Sequence, residues 1–186
     1  MEGASSRPCG GFFVATVGNK FMGIFNRNKI TSTDMASVLM KMIEEQVGLF
    51  SNSLKPIIEK AGIKLNKDQK DIFLQEATII HLWATSQPLG GYKKTLDELH
   101  AMFLKDGEIK NKLLKRYEEY YKYFNSKKLS DLAFAMWHNL LDSRTTKNII
   151  KYVPYLLTYN IISYLADFME MVSKLITEKH LEIIEK

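Results

Sequence analysis

The sequence predicts an all-α fold. From Glu108 to Lys186 the chain contains no glycine and a single proline, Pro154. Strands joined by tight turns need these residues, so their near absence favours helices joined by short connections. Apolar residues in this stretch recur at three- and four-residue intervals, which is the period of an amphipathic helix. We therefore predict one globular helical domain of about seven helices over 30–186, preceded by a flexible N-terminal arm over 1–29.

The size and charge of the chain set limits on its class. A length of 186 residues fits one domain and buries a sizeable core without disulfides or metals. Cys9 is the only cysteine, which rules out an intramolecular disulfide and a four-cysteine zinc site, so we expect a cytoplasmic protein. The formal net charge of +5 is mild and does not by itself indicate nucleic-acid binding.

The first 21 residues differ from the rest in composition. They hold four of the ten glycines, and their one apolar run, Phe12–Val17, is shorter than the core of a secretory signal. Met22 and the residues after it resemble a natural start followed by a polar linker. We expect the arm to be disordered.

Capping signals mark the helices of the first half of the chain. Thr31–Asp34 begins a helix that frays between Gly48 and Ser53, and a short second helix over about 56–61 ends at a Gly62 C-cap. Asn66 and Gln69 resemble a capping box for a third helix over 67–87. This helix is apolar nearly all round and includes Trp83, so we predict that it is central and buried.

The second half is predicted in the same way. A Thr-x-x-Glu capping box at Thr95 predicts a helix over 96–105, and periodicity predicts further helices over 108–125 and 129–142, the last with Trp137 in the core. Pro154 should break or kink the final helical region, which continues as a long helix over 155–179. The helices 67–87 and 155–179 should build the core.

Glu76 is the most informative candidate for a site, because it lies at the centre of the most apolar helix. A buried carboxylate must be paired, hydrogen-bonded or neutral. One interpretation is an ion pair or hydrogen bond to another helix. The other is a polar group in an inter-helical ligand pocket, with His81 and His138 as its companions. A core histidine bonded to a carbonyl is the plainer interpretation of His81.

No catalytic residue can be assigned, and whether the chain is an enzyme stays open, with the balance against it. The sequence has no nucleotide-binding loop, nucleophile elbow or His-Glu-x-x-His helix. Asp97 and His100 have the spacing of helix-bundle metal ligands, but a di-iron bundle needs two Glu-x-x-His pairs and two further carboxylates. We therefore predict no metal and no cofactor.

The segment 110–128 interleaves basic residues with tyrosines, as single-stranded nucleic acid requires. However, Tyr117, Tyr120 and Phe124 follow the predicted core stripe, and the lysines alternate with glutamates. Nucleic-acid contact through this helix is therefore a third hypothesis.

A wide apolar surface on the last helix supports the preferred hypothesis. Residues 152–166 are fifteen consecutive uncharged positions, too few for a transmembrane helix and interrupted by Pro154 and Asn160. Aromatic residues are enriched at interfaces, so we expect Tyr155, Tyr159 and Tyr164 to meet another subunit. The preferred function is a cytoplasmic protein-binding or adaptor module that acts through helix–helix contacts, with a homodimer as its form. The runner-up is an enzyme or small-ligand binder with a pocket around Glu76.

Overall fold

A computed structural model describes residues 29–60, 62–104, 107–141, 154–177 and 182–184. The predicted arm, apart from Lys29, lies outside these residues, as does the predicted start of the last helical region near Thr145. The described residues confirm the all-α class, with a helix number close to the one expected. In chain order the elements are strand β1 (Lys29–Thr31), helices α1 (Ser32–Lys60), α2 (Lys67–Ser86), α3 (Lys93–Phe103), α4 (Gly107–Asn125), α5 (Leu129–Leu140) and α6 (Pro154–Thr177), and strand β2 (Glu182–Ile184).

Helix α1 corrects the prediction of two helices in this region. It continues through Pro56, which cannot donate the usual main-chain hydrogen bond. The apolar stripe nevertheless continues past the proline, because Phe50, Leu54 and Ile58 are all buried. Burial of this stripe stabilises the helix on both sides of Pro56. The prediction missed this because it relied on local sequence signals, which do not include tertiary burial.

The predicted glycine cap at the end of α1 is confirmed. Gly62 has a φ of 78°, and its N–H donates to the carbonyl of Glu59 at 2.9 Å. The N–H of Ile63 donates to the carbonyl of Ile58 at 3.1 Å, which completes the two bonds of a Schellman motif. The turn directs Ile63 back into the core, where it is buried.

Helix α2 is the central helix, as predicted. Asn66 and Gln69 form the expected capping box at its N-terminus. All eight residues over 79–86 are buried, so this half of the helix has no solvent-facing side. It packs against α1, α4, α5 and α6. Trp83 and Trp137 are both buried, which confirms their predicted place in the core.

The predicted cap of α3 is wrong. The helix begins at Lys93, and Thr95 lies in its first turn, fully buried, rather than at the N-cap. The preceding turn is closed by the N–H of Tyr92, which donates to the carbonyl of Leu89 at 2.8 Å. Because Leu89 is buried, packing of the turn starts the helix three residues earlier than the capping signal suggests.

Helix α4 ends without a glycine. Lys127 adopts a φ of 57°, and the N–H of Lys128 donates to the carbonyl of Tyr123 at 2.9 Å. This is the same C-terminal motif as at Gly62, formed here by a residue for which left-handed backbone is costly. The turn allows α5 to fold back on α4 within a stretch that lacks glycine.

Helix α6 contributes the second apolar stripe of the core. Its first residue is Pro154, where the missing N–H has no helical partner to lose. The buried positions repeat with helical spacing: Ile161, Leu165, Phe168, Val172 and Ile176. The helix contacts α2 and α5, in agreement with the predicted core pairing.

The strand pair was not predicted. β1 and β2 pair in parallel, with Ile30 opposite Ile183, and the Ser32 hydroxyl donates to the carbonyl of Ile184 at 3.3 Å. Three-residue strands carry no periodicity signal, and their pairing joins residues about 150 positions apart. The pair packs on the start of α1.

Two glycines test how the end of α1 is specified. Gly62→Ala should lower the free energy of unfolding by about 1 kcal/mol, because alanine disfavours the left-handed backbone. Gly48→Ala, inside α1, should raise it by about 1 kcal/mol through higher helix propensity. A Cβ meets no atom within 4 Å at either position, so the comparison isolates backbone effects. Urea denaturation of both variants measures the difference, and equal shifts would contradict the assigned cap.

Candidate functional site

The Glu76 carboxylate is held by two cations from α4. Its side chain is only 1% exposed. Lys112 Nζ lies 2.9 Å from Glu76 Oε1, and Arg116 donates from Nη2 to Oε1 at 3.0 Å and from Nε to Oε2 at 3.1 Å. The two-pronged contact of Arg116 is the strongest geometry for a guanidinium and a carboxylate. The buried carboxylate is therefore paired through both of its oxygens, by Lys112 and Arg116.

A larger polar network surrounds this pair. Arg116 Nη1 also lies 3.7 Å from Glu119 Oε2, and the Asn139 amide donates to the same oxygen at 3.0 Å. Asn139 also donates to the Tyr120 hydroxyl at 3.2 Å, which joins α5 to α4. Burial is the largest single influence on the pKa of the Arg116 guanidinium and lowers it, but the contacts with Glu76, Tyr120 and Glu119 together outweigh burial, so the pKa is raised. The network links α2, α4 and α5.

His81 belongs to a different cluster. Its Nδ1 donates to the carbonyl of Ala77 at 2.7 Å, as expected for a core histidine, and its Nε2 lies 3.2 Å from the Tyr164 hydroxyl. The Tyr164 hydroxyl lies 2.9 Å from the carbonyl of Gln46 and 2.8 Å from its side-chain oxygen. Phe50 and Phe168 contact the imidazole edge-on. The cluster joins α2 to α1 and α6.

Protonation is unfavourable in this cluster. Burial lowers the pKa of His81 to about 4, with the Ala77 hydrogen bond opposing the shift. At neutral pH the ring is therefore uncharged, with its proton on Nδ1, and the unprotonated Nε2 lies 3.2 Å from the Tyr164 hydroxyl, whose single proton is directed at Gln46. Burial also raises the pKa of the Tyr164 hydroxyl, so that group remains a donor. The arrangement suits a neutral hydrogen-bonded core better than proton transfer.

The three predicted pocket residues contact different parts of the fold. Glu76 contacts α4, and His81 contacts α1 and α6. His138 is half-buried on α5 and contacts the Phe134 ring at 5.3 Å between centroids. Within the described ranges no contact joins any two of them.

The predicted interface on α6 is divided between surface and core. Tyr159 is 71% exposed, whereas Tyr164 is tied to Gln46 inside the molecule. The Tyr155 side chain lies outside the described residues. The exposed positions after Tyr159 are mostly polar or small: Ser163, Ala166, Glu170, Lys174 and Thr177. The apolar surplus that suggested a subunit interface is thus largely used within one chain, and the homodimer stays a prediction.

The basic and aromatic segment over 110–128 is also used internally. Lys112 and Arg116 pair with Glu76, and Tyr120 is fully buried beside Trp83. The Tyr117 hydroxyl lies 2.9 Å from His100 Nε2. These contacts leave fewer cations and rings for a nucleic acid, although the hypothesis itself stays a prediction.

A cavity of about 760 Å³ opens at a corner of the fold that sequence reasoning did not single out. We call it the α1–α2 cavity, because its walls come from the C-terminal part of α1, the turn after it and the first half of α2. Its apolar walls include buried residues at the base and one residue, Leu74, that is 43% exposed. The apolar lining residues are Ile58, Ile63, Leu65, Phe73 and Leu74. The volume lies within the range of binding pockets.

The α1–α2 cavity carries an excess of positive charge. Lys55, Lys64 and Lys70 line it, against the single carboxylate of Glu59. Across the part of the chain that the structure describes, none of these three lysines forms an ion pair. Lys112 and Arg116, by contrast, both form ion pairs with Glu76. The cavity therefore offers apolar surface with free cations around it.

Three further observations bear on the kind of site. Among the described residues, no group of three or more His, Cys, Asp or Glu side chains is arranged to hold a metal ion. No helix in the described ranges is both long and apolar enough to cross a bilayer. No protein-family model, curated protein or solved structure is significantly similar to this chain.

The buried ion pair yields a stability prediction. Glu76→Gln should lower the free energy of unfolding by about 3 kcal/mol, because the partly buried cations Lys112 and Arg116 lose the carboxylate that pairs with them. Glu118→Gln, on the exposed face of α4, should change it by no more than about 0.5 kcal/mol. Urea denaturation measures both. Addition of Arg116→Met to Glu76→Gln should cost less than the sum of the single changes, and simple additivity would contradict the coupling.

The His81 cluster yields a pH prediction. His81 binds a proton near pH 6.5 in the unfolded chain but only near pH 4 in the folded chain. The contribution of His81 to the free energy of unfolding is therefore fully present above pH 6.5 and is lost as the pH falls from 6.5 to 4. Between pH 7 and pH 5 the loss from His81 should be about 2 kcal/mol. His81→Leu should remove that part of the pH dependence, as measured by denaturation at each pH.

The matched control for this experiment is His138→Leu, which leaves the cluster intact and should keep the wild-type pH profile. His100, whose pKa is also lowered, mainly by burial, contributes in the same direction in all three proteins. If the profiles of wild type and His81→Leu coincide, the folded chain protonates His81 readily and the assignment of a neutral core histidine fails.

Proposed function

We propose that this chain is a protein-binding module, and that its binding surface is the α1–α2 cavity. The observation that carries the proposal is an apolar cavity of about 760 Å³, open at the surface, that the described residues leave uncovered. Open apolar grooves between helices commonly receive the apolar face of a partner helix. The proposal keeps helix–helix contact as the mode of binding and moves the contact from α6 to α1 and α2.

The other polar clusters support a structural role instead. The Glu76 carboxylate is saturated by Lys112 and Arg116, and His81 is enclosed by Phe50, Phe168 and Tyr164. Neither cluster lines the cavity. This favours a binding module over the small-ligand or enzymatic alternative centred on Glu76, because that alternative needs an accessible polar group.

The exposed apolar side chains support the same choice. The large ones among the described residues are spread over four helices: Leu74, Leu114, Leu129, Phe134 and Tyr159. Leu74 lines the α1–α2 cavity, so exposed apolar surface meets a concave shape there. The cytoplasm remains the proposed location, since the chain has a single cysteine.

A peptide selection tests the proposal. A displayed library of helical peptides is selected for binding to the wild-type chain, and the enriched peptides are synthesised and measured by fluorescence anisotropy. Leu74→Glu places a charge at the edge of the cavity without altering the buried core, and it should weaken binding by at least about tenfold. A loss of this size identifies the cavity as the surface that the peptides use.

Leu114→Glu is the matched control. Leu114 is 50% exposed on α4 and does not line the cavity, so the same substitution there should leave the affinity within about twofold. Circular dichroism establishes that both variants fold. If selection enriches no peptide that distinguishes the two variants, the cavity is not a protein-binding surface and the proposal fails.

A further inference from the structure

The charged side chains around the α1–α2 cavity indicate which kind of protein could bind there. This inference rests on the proposed function of the cavity as a protein-binding surface. Lys55 lies on α1, Lys64 on the turn and Lys70 on α2, so the three cations come from three different elements around one apolar centre. All three side chains are exposed. Long lysine side chains can reach across an apolar surface with their charged ends in water.

The balance of charge is positive. Three lysines face one carboxylate, Glu59, and none of the four forms an ion pair among the described residues. Asp68 and Asp71 are exposed on α2 but do not line the cavity. A partner that carries carboxylates beside its apolar side chains would therefore meet complementary charge, whereas a basic partner would meet repulsion.

The shape of the cavity decides between kinds of acidic partner. The base is formed by buried side chains, Phe73, Ile58 and Ile63, and Leu74 extends it to the surface. An amphipathic helix presents apolar side chains at i, i+3, i+4 and i+7 as one ridge, with its charged residues on either side. Such a ridge matches an apolar floor with cations at its margins.

We propose that the partner of the α1–α2 cavity is an acidic amphipathic helix. Its apolar ridge packs on Phe73 and Leu74, and its glutamates or aspartates pair with Lys55, Lys64 and Lys70. The apolar contact supplies most of the affinity, and the lysines supply the preference for acidic sequences and its dependence on salt.

Defined peptides test this inference. The probe is a synthetic 18-residue helical peptide (a length of about 27 Å as a helix) with leucines at the ridge positions and glutamates flanking them. Its counterpart has lysine in place of each glutamate. By fluorescence anisotropy at low salt, the glutamate peptide should bind the wild-type chain at least about tenfold more tightly than the lysine peptide, and added salt should reduce the difference.

Charge reversal supplies the second arm. In the triple variant Lys55→Glu, Lys64→Glu and Lys70→Glu, the preference should reverse in favour of the lysine peptide. The matched control is Lys110→Glu, Lys115→Glu and Lys128→Glu, which changes the net charge equally at exposed positions outside the cavity and should keep the preference for glutamate. Circular dichroism and gel filtration verify that both triple variants fold.

The outcomes separate the inference from the proposed function. If both peptides bind equally and both lose affinity in Leu74→Glu, the cavity binds protein without charge selection, and only the inference is overturned. If neither peptide binds, while dodecanoate binds with one-to-one stoichiometry and is blocked by Leu74→Glu, the cavity is a small-ligand site and both proposals are overturned. If the two triple variants lose the preference for the glutamate peptide to the same extent, the preference depends on net charge alone, and the inference is also overturned.

Discussion

Helix α2 passes between four other helices and carries polar side chains where water cannot reach them. Glu76, His81, Thr85 and Ser86 are all buried on this one helix. A buried polar group left without a partner costs several kcal/mol, so the neighbours of α2 must supply partners at fixed positions. Thr85 and Ser86 are satisfied locally, by main-chain carbonyls one turn earlier. Glu76 and His81 need groups from other helices.

The two demands fix different neighbours. Glu76 requires cations, which α4 supplies through Lys112 and Arg116, and this sets the rotation of α4 against α2. His81 places its Nε2 3.2 Å from the hydroxyl of Tyr164 on α6, and the same hydroxyl donates to Gln46 of α1. Because these contacts are directional, they select one packing among the many that apolar surfaces alone would allow. Buried polar contacts act here as constraints on specificity more than as sources of net stability.

The α1–α2 cavity differs from the rest of the structure in this respect. Elsewhere the described helices bury most of their apolar residues against one another, and the buried Glu76 carboxylate is paired with two cations. At the corner formed by the Gly62 turn, the 43% exposed side chain of Leu74 lines a cavity beside the buried Phe73, and the three lining lysines form no ion pair among the described residues. A surface of this composition is more readily explained by a partner than by the requirements of folding.

The sequence by itself determined the fold class, the central position of α2 and most helix bounds, because helical periodicity and capping signals are local. It also restricted Glu76 to a paired or pocket environment. It could not decide between these, because the decision depends on Lys112 and Arg116, 36 and 40 residues away. Tertiary packing alone kept α1 continuous through Pro56, started α3 before Thr95 and paired the two strands. It alone created the α1–α2 cavity, since an uncovered space is a property of how helices meet and leaves no mark in any one of them.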